Sequence, residues 1–199
     1  MTKVILLDIG GVLIDLDMSR AIKAFRERIG YERITEILDP WHQKGIYGEM
    51  EAGILSPEEF RSRVLEESFP GTRPEQVDEC MGELLVKVPE KTAAAVKELA
   101  GRYPVYLLSN NNPISMIRCH ALLEEAGLGK CFRGEFISCE LKMLKPSAEF
   151  YREVIRRLGV KPEEIVFVDD SLTNVEGARA VGMDARWMEP GMELSQLLP

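Results

Sequence analysis

With 199 residues, 45% of them hydrophobic and 29% charged, the chain has the composition of a soluble globular protein that can build one core and a small accessory domain. Its formal net charge of −8 argues against a nucleic-acid backbone or an anionic membrane as the main partner, because both need a positive field, and it favours a small ligand. Since no positively charged leader and no apolar run of about 18 residues is visible, we expect a cytoplasmic protein.

The cysteines and histidines exclude several kinds of site. The four cysteines lack C-x-x-C spacing, so we expect reduced, structural thiols and no zinc. The two histidines, His42 and His120, do not lie near a serine in a nucleophile-elbow context, which argues against most histidine-based hydrolases. The chemistry is therefore expected to use carboxylates, a lysine and a metal.

The first predicted strand ends in an acid. Residues 4–7 are an unbroken apolar run, which is typical of a strand buried on both faces in a parallel sheet. Asp8 follows, and an acid is unfavourable there unless it is paired or functional. Gly10 and Gly11 permit positive φ and let a ligand approach the backbone. Because open α/β sheets keep their sites at the carboxyl ends of strands, Asp8 is a candidate functional residue.

Residues 16–88 show no buried-strand pattern and are predicted to form an all-helical cap inserted after the first strand. A helical apolar stripe runs over residues 18–29. Residues 56–59 have the sequence Ser-Pro-Glu-Glu, in which serine caps a helix, proline takes its first position and glutamate closes a capping box. A further helix is predicted from about Pro74.

Strands and helices alternate again from residue 89. This alternation predicts a doubly wound parallel α/β sheet, a Rossmann-like core formed by residues 1–15 and 89–199. Like the first strand, the second and fourth end in polar residues: Ser109 follows one, and Asp169 and Asp170 follow the other. The later strands are predicted over residues 105–108, 136–139, 165–168 and 183–187.

These strand ends, with Lys145 just before a helix start, suit phosphoryl transfer. One carboxylate can attack phosphorus and form an aspartyl-phosphate, which divides a difficult displacement into two easier ones. A hydroxyl and backbone amides can hold the phosphoryl oxygens, and a lysine can neutralise the charge between carboxylate and phosphate. Two further acids can hold magnesium, a hard cation that prefers oxygen ligands.

Four segments of the chain resemble the four motifs of the haloacid dehalogenase (HAD) superfamily, in the order DIGGVL, LLSNN, LKPSAEFY and GVKPEEIVFVDDSLTNVEGA. The resemblance covers almost the whole chain, and the helical insertion resembles that family's cap. It implies that Asp8 is the nucleophile and that Lys145 is the lysine of the catalytic site. It also implies phosphate binding by Ser109, Lys145 and one of the three following asparagines, which we assign to Asn110.

The resemblance implies Mg²⁺ as the cofactor. Asp170 matches the acid that ligates the metal because it precedes Ser171 as the family's acid does. Asp8 and the backbone carbonyl of Gly10 are the other implied ligands. Asp169 replaces a common glycine, and we include it among the expected metal residues, with direct ligation and hydrogen bonding to the metal site both open.

One departure from the family pattern concerns proton transfer. Phosphatases of the superfamily usually carry a second aspartate two residues after the nucleophile, which protonates the leaving group and later activates water, and this chain has Gly10 there. A branch resembling sugar-phosphate phosphatases, including those acting on glucose 1-phosphate, shows a similar D-x-G-x-V pattern followed by acids like Asp15 and Asp17. Haloacid dehalogenases also lack the second aspartate, but their fourth motif lacks the acid pair.

The sequence therefore predicts a magnesium-dependent phosphatase that hydrolyses a small phosphomonoester, with a sugar phosphate favoured, through an aspartyl-phosphate on Asp8. A catalytically weak or inactive binding or regulatory protein is one alternative, and a 2-haloacid dehalogenase is another. Asp15 and Asp17 are interpreted as turn or cap-hinge residues. Five cap residues either select the substrate or only pack the cap, namely Trp41, His42, Tyr47, Glu49 and Glu51.

Overall fold

A computed structural model describes residues 1–38 and 44–199, and within them one parallel sheet organises the chain. The strand order is β3-β2-β1-β4-β5, so the first strand lies in the centre. Ile5 pairs with Val105 on one side and with Val166 on the other. The strands are β1 Val4–Leu7, β2 Val105–Ser109, β3 Phe132–Ile137, β4 Ile165–Asp169 and β5 Asp184–Trp187.

Helices cover both faces of this sheet, because successive strand residues point to opposite sides. Ile5 and Leu7 pack in a core cluster with α6 (Glu90–Ala100) and α7 (Pro113–Glu125). Val4 and Leu6, on the opposite face, pack in a second cluster with α9 (Ala148–Leu158) and α10 (Leu172–Ala180). The doubly wound α/β fold predicted from the alternation is confirmed. The helices of this part are α6 Glu90–Ala100, α7 Pro113–Glu125, α8 Ser138–Leu141, α9 Ala148–Leu158 and α10 Leu172–Ala180.

The segment between β1 and α6 is helical, as predicted, and builds a third core cluster. Ile114, from the first turn of α7, is buried in the same cluster, so the helical segment rests on that helix. The helix predicted over residues 18–29 and the capping box of Ser56 both occur as predicted. The division at residues 16–88 stays a prediction. The helices are α1 Met18–Ile29, α2 Ile34–Ile37, α3 Gly45–Glu51, α4 Pro57–Leu65 and α5 Pro74–Gly82.

The two links between the helical segment and the sheet run side by side. Leu16 and Leu85 form an antiparallel bridge. The Asp15 N–H donates to the Lys87 carbonyl at 2.9 Å, and the Val86 N–H donates back to the Asp15 carbonyl at 2.9 Å. The helical segment is therefore attached through a short two-stranded joint, which agrees with interpreting Asp15 as a hinge residue.

The strand predicted over residues 136–139 is wrong in its bounds. Strand β3 begins at Phe132 and ends at Ile137, and the next residues form the short helix α8. As an edge strand, β3 exposes part of one face, so polar residues alternate in it and mask the strand pattern. Ser138 directly follows the strand, and its hydroxyl accepts the Asn111 N–H at 3.0 Å and donates to the Glu51 carbonyl at 2.6 Å.

All four cysteines are free thiols, and Cys80 and Cys119 are fully buried, in agreement with the structural role expected for them. Among the described helices, none combines the length and the hydropathy needed to cross a bilayer.

Candidate active site

Asp8 lies at the carboxyl end of the central strand, where the sequence predicts it. Its N–H donates to the Val168 carbonyl at 3.0 Å and continues the pairing of β1 with β4. Its carboxylate oxygen Oδ1 accepts the Ile9 N–H at 2.7 Å. Only 8% of the residue is exposed. The strand pairing and the backbone turn after it therefore fix the direction of this carboxylate.

Lys145 is buried against Asp8 and has a complete set of acceptors. Its ammonium group contacts Asp8 Oδ2 at 2.9 Å and Asp169 Oδ2 at 2.7 Å, and it donates to the Leu108 carbonyl at 3.1 Å. These contacts use all three N–H donors of a lysine. Only 4% of the residue is exposed. A buried cation so well satisfied holds its place without a ligand.

Asn110 reaches the site, but its side chain has a different partner from the predicted phosphate. Its Oδ1 accepts the Lys145 N–H at 2.8 Å, and its Nδ2 donates to the Lys145 carbonyl at 3.0 Å. The side chain thus holds the loop that carries Lys145, and a contact between Asn110 and phosphate stays a prediction. Ser109, the residue before it, ends β2 and is 2% exposed.

Asp169 has both carboxylate oxygens engaged within the protein. Oδ2 contacts Lys145, and Oδ1 accepts the Ser171 N–H at 2.8 Å. Asn174 donates to both oxygens, at 3.1 and 3.2 Å. Of the two possibilities left open for Asp169, these contacts favour orientation of the site over direct ligation of a metal.

Asp170 faces the glycine turn after the nucleophile. Gly11 has φ +72°, and a Cβ atom there would collide with the Asp170 carboxylate. Only glycine therefore fits this close approach without strain. One carboxylate oxygen each from Asp8, Asp169 and Asp170 lies within 4.8 Å of the others. Such an oxygen cluster fits a small divalent cation.

The electrostatics of this cluster show an excess of negative charge. Burial raises the pKa of Asp8 to about 7; Lys145 opposes this rise, and Asp169 and Asp170 add to it. Burial, with the charge of Asp169, raises the pKa of Asp170 to about 6. Burial lowers the pKa of Lys145, but Asp169 and Asp8 overcome this effect and the net pKa is raised. The lysine thus stays charged, and three carboxylates share this one lysine.

The cap contributes Glu51, which the sequence pointed to only as one of five residues that either select substrate or pack the cap. The last residue of α3, it is partly buried, and the charges of Asp8 and Lys145 both act on its carboxyl group. Tyr47 is buried in the cap core, and Glu49 forms a 3.5 Å ion pair with Arg63. Trp41 and His42 lie outside the described residues. In the sequence, Glu51 is only a glutamate near the end of a short helix. Its proximity to Asp8 and Lys145 depends on tertiary contacts and could not be predicted.

The acids that follow the first strand do not join the cluster of Asp8, Asp169 and Asp170. Asp17 caps α1 by accepting the Arg20 N–H at 3.2 Å and the Ser19 hydroxyl at 2.6 Å. Hydrogen bonds from Ser19 and Arg20 lower the pKa of Asp17. Asp15 lies in the joint with an exposed side chain. Leu16 limits the space around Gly10, because its Cδ1 would lie 3.1 Å from a Cβ atom added there.

Comparisons with known proteins identify several relatives of this chain. D-ribitol-5-phosphate phosphatase from Bacteroides thetaiotaomicron is 31% identical over 201 residues, which cover 100% of this chain and 97% of the relative. A HAD-family enzyme from the same organism, solved with magnesium and inorganic phosphate, matches with a TM-score of 0.88 at 30% identity over the full length of both chains. L-2-haloacid dehalogenase from Xanthobacter autotrophicus shares the fold, with a TM-score of 0.68 at 21% identity over 98% of this chain and 80% of that one.

The family model of haloacid dehalogenase-like hydrolases matches residues 2–182, a span that includes Asp8, Ser109, Lys145 and the acid pair at the end of β4. The sequence resemblance, the sheet order and the match of this family model agree with one another. The chain therefore belongs to the haloacid dehalogenase-like hydrolase family.

Proposed function

We propose that this protein is a magnesium-dependent phosphatase that hydrolyses a small phosphomonoester, with a sugar phosphate or a related polyol phosphate as the substrate class. One observation carries the proposal: Lys145 is buried between Asp8 and Asp169 at the edge of the sheet, with Asp170 beside them. The relative named as a D-ribitol-5-phosphate phosphatase supports the substrate class. A second relative, from Escherichia coli, is named as a 5-amino-6-(5-phospho-D-ribitylamino)uracil phosphatase and is 29% identical over 126 residues, which cover 63% of this chain and 50% of the relative.

In this proposal Asp8 is the nucleophile. An oxygen of its carboxylate forms a bond to phosphorus while the ester bond breaks, and the bonding electron pair leaves with the alcohol oxygen. The product of this step is an aspartyl-phosphate, which water then hydrolyses to restore the carboxylate. Lys145 favours the ionised form of Asp8 that this attack needs, because its ammonium lies 2.9 Å from the carboxylate.

Ser109 and Lys145 bind the phosphoryl group in this proposal. Ser109 offers a hydroxyl at the end of β2, next to the strand that carries Asp8. All three donors of Lys145 are engaged, so a phosphoryl oxygen must replace one of its acceptors. The replaced acceptor is Asp8, because a phosphoryl oxygen bound at its carboxylate takes over the contact with the ammonium group, and Asp169 keeps the lysine in position.

The residues around Asp8 fit Mg²⁺, because the carboxylates of Asp8 and Asp170 converge and the carbonyl of Gly10 is the third protein oxygen expected there. When bound, the ion neutralises charge on the carboxylates and on the phosphoryl oxygens. We assign Asp169 to the orientation of Lys145, because hydrogen bonds and an ion pair occupy both of its oxygens.

Phosphate release tests this function. Purified protein should release inorganic phosphate from 4-nitrophenyl phosphate and from a panel of sugar and polyol phosphates only when Mg²⁺ is present. Intact mass after rapid acid quench should show one added phosphoryl group, which is absent in Asp8→Asn. Release of no phosphate from any ester, with or without Mg²⁺, would contradict the proposal and favour a binding protein. Halide release from 2-chloropropionate would instead support the dehalogenase alternative.

A further inference from the structure

The site lacks an evident proton donor at the position where the superfamily usually has one. Gly10 has no side chain, Asp17 is an ionised helix cap, and Asp169 is bound to Lys145. Ser171 and Asn174 also donate to the Asp169 carboxylate, so both of its oxygens are engaged within the protein and it is not free to reach a leaving group. A polyol leaves as an alkoxide unless a proton reaches its oxygen, so an effective phosphatase for such esters needs another acid.

A hydrogen bond to its backbone carbonyl holds Glu51 near the carboxyl ends of the strands, where Asp8 and Ser109 lie. The Ser138 hydroxyl donates to the Glu51 carbonyl at 2.6 Å. Ser138 directly follows Ile137, which pairs with Ser109 at the end of β2. The last turn of α3 therefore lies above the strand ends where Ser109 is expected to bind phosphate. Two backbone segments fix this place, because Ser138 also accepts the Asn111 N–H at 3.0 Å.

Gly53, two residues after Glu51, brings the cap into close contact with α8, the helix that follows β3. It has φ +66°, and a Cβ atom there would collide with the carbonyl oxygen of Cys139. Close approach of the two backbones leaves no space for a side chain. Tyr47, one helical turn before Glu51, is buried in the cap core and interacts with Ser115 and Asn112 of the α7 start. Contacts on both sides of Glu51 thus fix the backbone of this helix end against the starts of α7 and α8.

The surroundings of the Glu51 carboxyl group favour its protonated form. Burial raises the pKa of Glu51 to about 8; the charge of Asp8 adds to this rise and that of Lys145 opposes it. Glu49, two residues earlier on the same helix, instead forms an ion pair with Arg63 at the surface. The two glutamates of α3 therefore have different environments, and only Glu51 is under the electrostatic influence of the nucleophile.

We propose that Glu51, supplied by the cap, is the general acid and base of this enzyme and takes the role that Gly10 cannot perform. In the first step, the Glu51 carboxyl proton passes to the leaving oxygen as the ester bond breaks, which yields the free alcohol and the Glu51 carboxylate. In the second step, that carboxylate takes a proton from water as the water oxygen bonds to phosphorus. The bond between phosphorus and Asp8 breaks, and phosphate, Asp8 carboxylate and protonated Glu51 result.

The assignment rests on the proposed phosphatase function and can be tested separately from it. Glu51→Gln keeps the size of the side chain but has no proton to give, and Glu49→Gln is the matched control on the same helix. For each, kcat/KM is measured with 4-nitrophenyl phosphate, whose leaving group needs little protonation, and with an alkyl ester such as glycerol phosphate. A parent protein inactive on both esters would overturn the phosphatase function itself.

Glu51→Gln should lower kcat/KM for the alkyl ester by about 10²-fold or more, and for the aryl ester by less than about tenfold. It should also show a burst of 4-nitrophenol of about one equivalent, because water activation is lost and the aspartyl-phosphate accumulates. Glu49→Gln should behave as the parent protein does. Equal losses on both esters without a burst, or a rise in KM at unchanged kcat for the alkyl ester alone, would overturn the assignment.

A second variant tests whether Glu51→Gln acts through loss of proton transfer or only by disturbing the structure. Gly10→Asp places the superfamily's usual acid, and Leu16, a residue that is 47% exposed, can move away from the new Cβ. The double variant Gly10→Asp/Glu51→Gln should recover most of the alkyl-ester activity and abolish the burst. Failure of this rescue, in a double variant that still binds inorganic phosphate and Mg²⁺ as the parent does, would count against a proton-transfer role for Glu51.

Discussion

At the scale of single residues, the contact between Asp8 and Lys145 decides how the nucleophile behaves. Replacing Asp8 by Asn removes the attacking oxygen but keeps the shape, and Lys145 still has Asp169 and the Leu108 carbonyl as partners. We therefore expect Asp8→Asn to lower phosphate release by at least about 10⁴-fold, since triad-type nucleophiles show losses of this size. Its melting temperature should stay at or above that of the parent, because burial disfavours the Asp8 charge.

Asp15→Asn is the matched control, because Asp15 is an exposed acid that lies further along the same exit from β1. It should retain the parent's rate and melting temperature. If Asp8→Asn still releases more than about 1% of the parent's phosphate, a different group attacks phosphorus and the assignment of Asp8 is wrong.

Asp170 links metal binding to the pH dependence of stability. The pKa values of Asp8 and Asp170 are raised in the folded state, to about 7 and about 6. A raised pKa contributes stability that is full below the unfolded-state value near 4 and is lost as the pH rises through 6 and 7. Asp170→Asn should therefore raise the melting temperature of the metal-free protein at pH 7.5 by about 2–4 °C, with solvent screening limiting the gain.

This gain should disappear at pH 4, where the carboxylates of the parent are protonated, and it should be reversed by Mg²⁺, which stabilises only the protein that binds it. Differential scanning fluorimetry across pH, with and without Mg²⁺, measures both effects. Unchanged magnesium affinity of Asp170→Asn in calorimetry would show that Asp170 is not a ligand.

At the scale of elements, the loop that carries Lys145 depends on a close approach by α10. Gly177 lies inside that helix, and an added Cβ would lie 2.7 Å from the Pro146 carbonyl oxygen. Gly177→Ala must therefore displace the backbone next to Lys145. We expect it to weaken competitive inhibition by inorganic phosphate by about tenfold, equivalent to about 1.4 kcal/mol, and to lower the melting temperature.

Gly82→Ala is the control for this prediction. Gly82 also lies within a helix, α5, but an added Cβ would lie 3.8 Å from the Arg118 side chain, which is ordinary contact. Alanine should stabilise that helix slightly, since glycine is the poorer helix former. Equal phosphate inhibition of Gly177→Ala and the parent would show that Pro146 does not transmit the displacement to Lys145.

The sequence predicted most of the elements because their signals are local. Apolar runs located β1, β2 and β4, the capping box located the start of α4, and the parallel, doubly wound sheet followed from the alternation of strands and helices. The part it did not predict depends on contacts between distant segments. The bounds of β3 depend on its edge position, and the partner of Asn110 lies 35 residues later in the chain.

The candidate site shows the same division. Because Asp8, Asp169 and Asp170 follow predicted strands of one parallel sheet, we expect them to lie together. The cluster of their carboxylates agrees with this prediction. The direction of Glu51 could not be predicted, because it depends on how the end of α3 meets Ser138 across 87 residues. The collision that requires glycine at position 11 is equally invisible in sequence, since Asp170 lies far along the chain.

At the scale of the whole molecule, the contact between Gly53 of the cap and Cys139 of α8 should affect the rate of hydrolysis. Gly53→Ala forces the Cys139 backbone and the end of α3 apart, so it should displace Glu51 without touching the groups around Asp8. We expect kcat/KM for an alkyl phosphate to fall by about tenfold or more, while inhibition by inorganic phosphate changes little.

Gly71→Ala is the matched control, because Gly71 has φ +86° and no atom within 4 Å of an added Cβ. Both substitutions place alanine in the left-handed region at a similar cost, about 1 kcal/mol, but only Gly53→Ala produces a collision. If the two variants lose activity equally, backbone strain explains the effect and the contact with Cys139 does not.

The joint between Leu16 and Leu85 also bears on how the chain folds. Ile5 must pair with Val105, so the central strand depends on a partner far along the chain. Closing such a long loop loses chain entropy and slows folding. If the helices of the insert pack before the sheet assembles, the bridge between Leu16 and Leu85 brings the two ends of the insert together. The loop that remains open is then short, so the same segment that covers the site also lowers the entropic barrier to assembling the sheet beneath it.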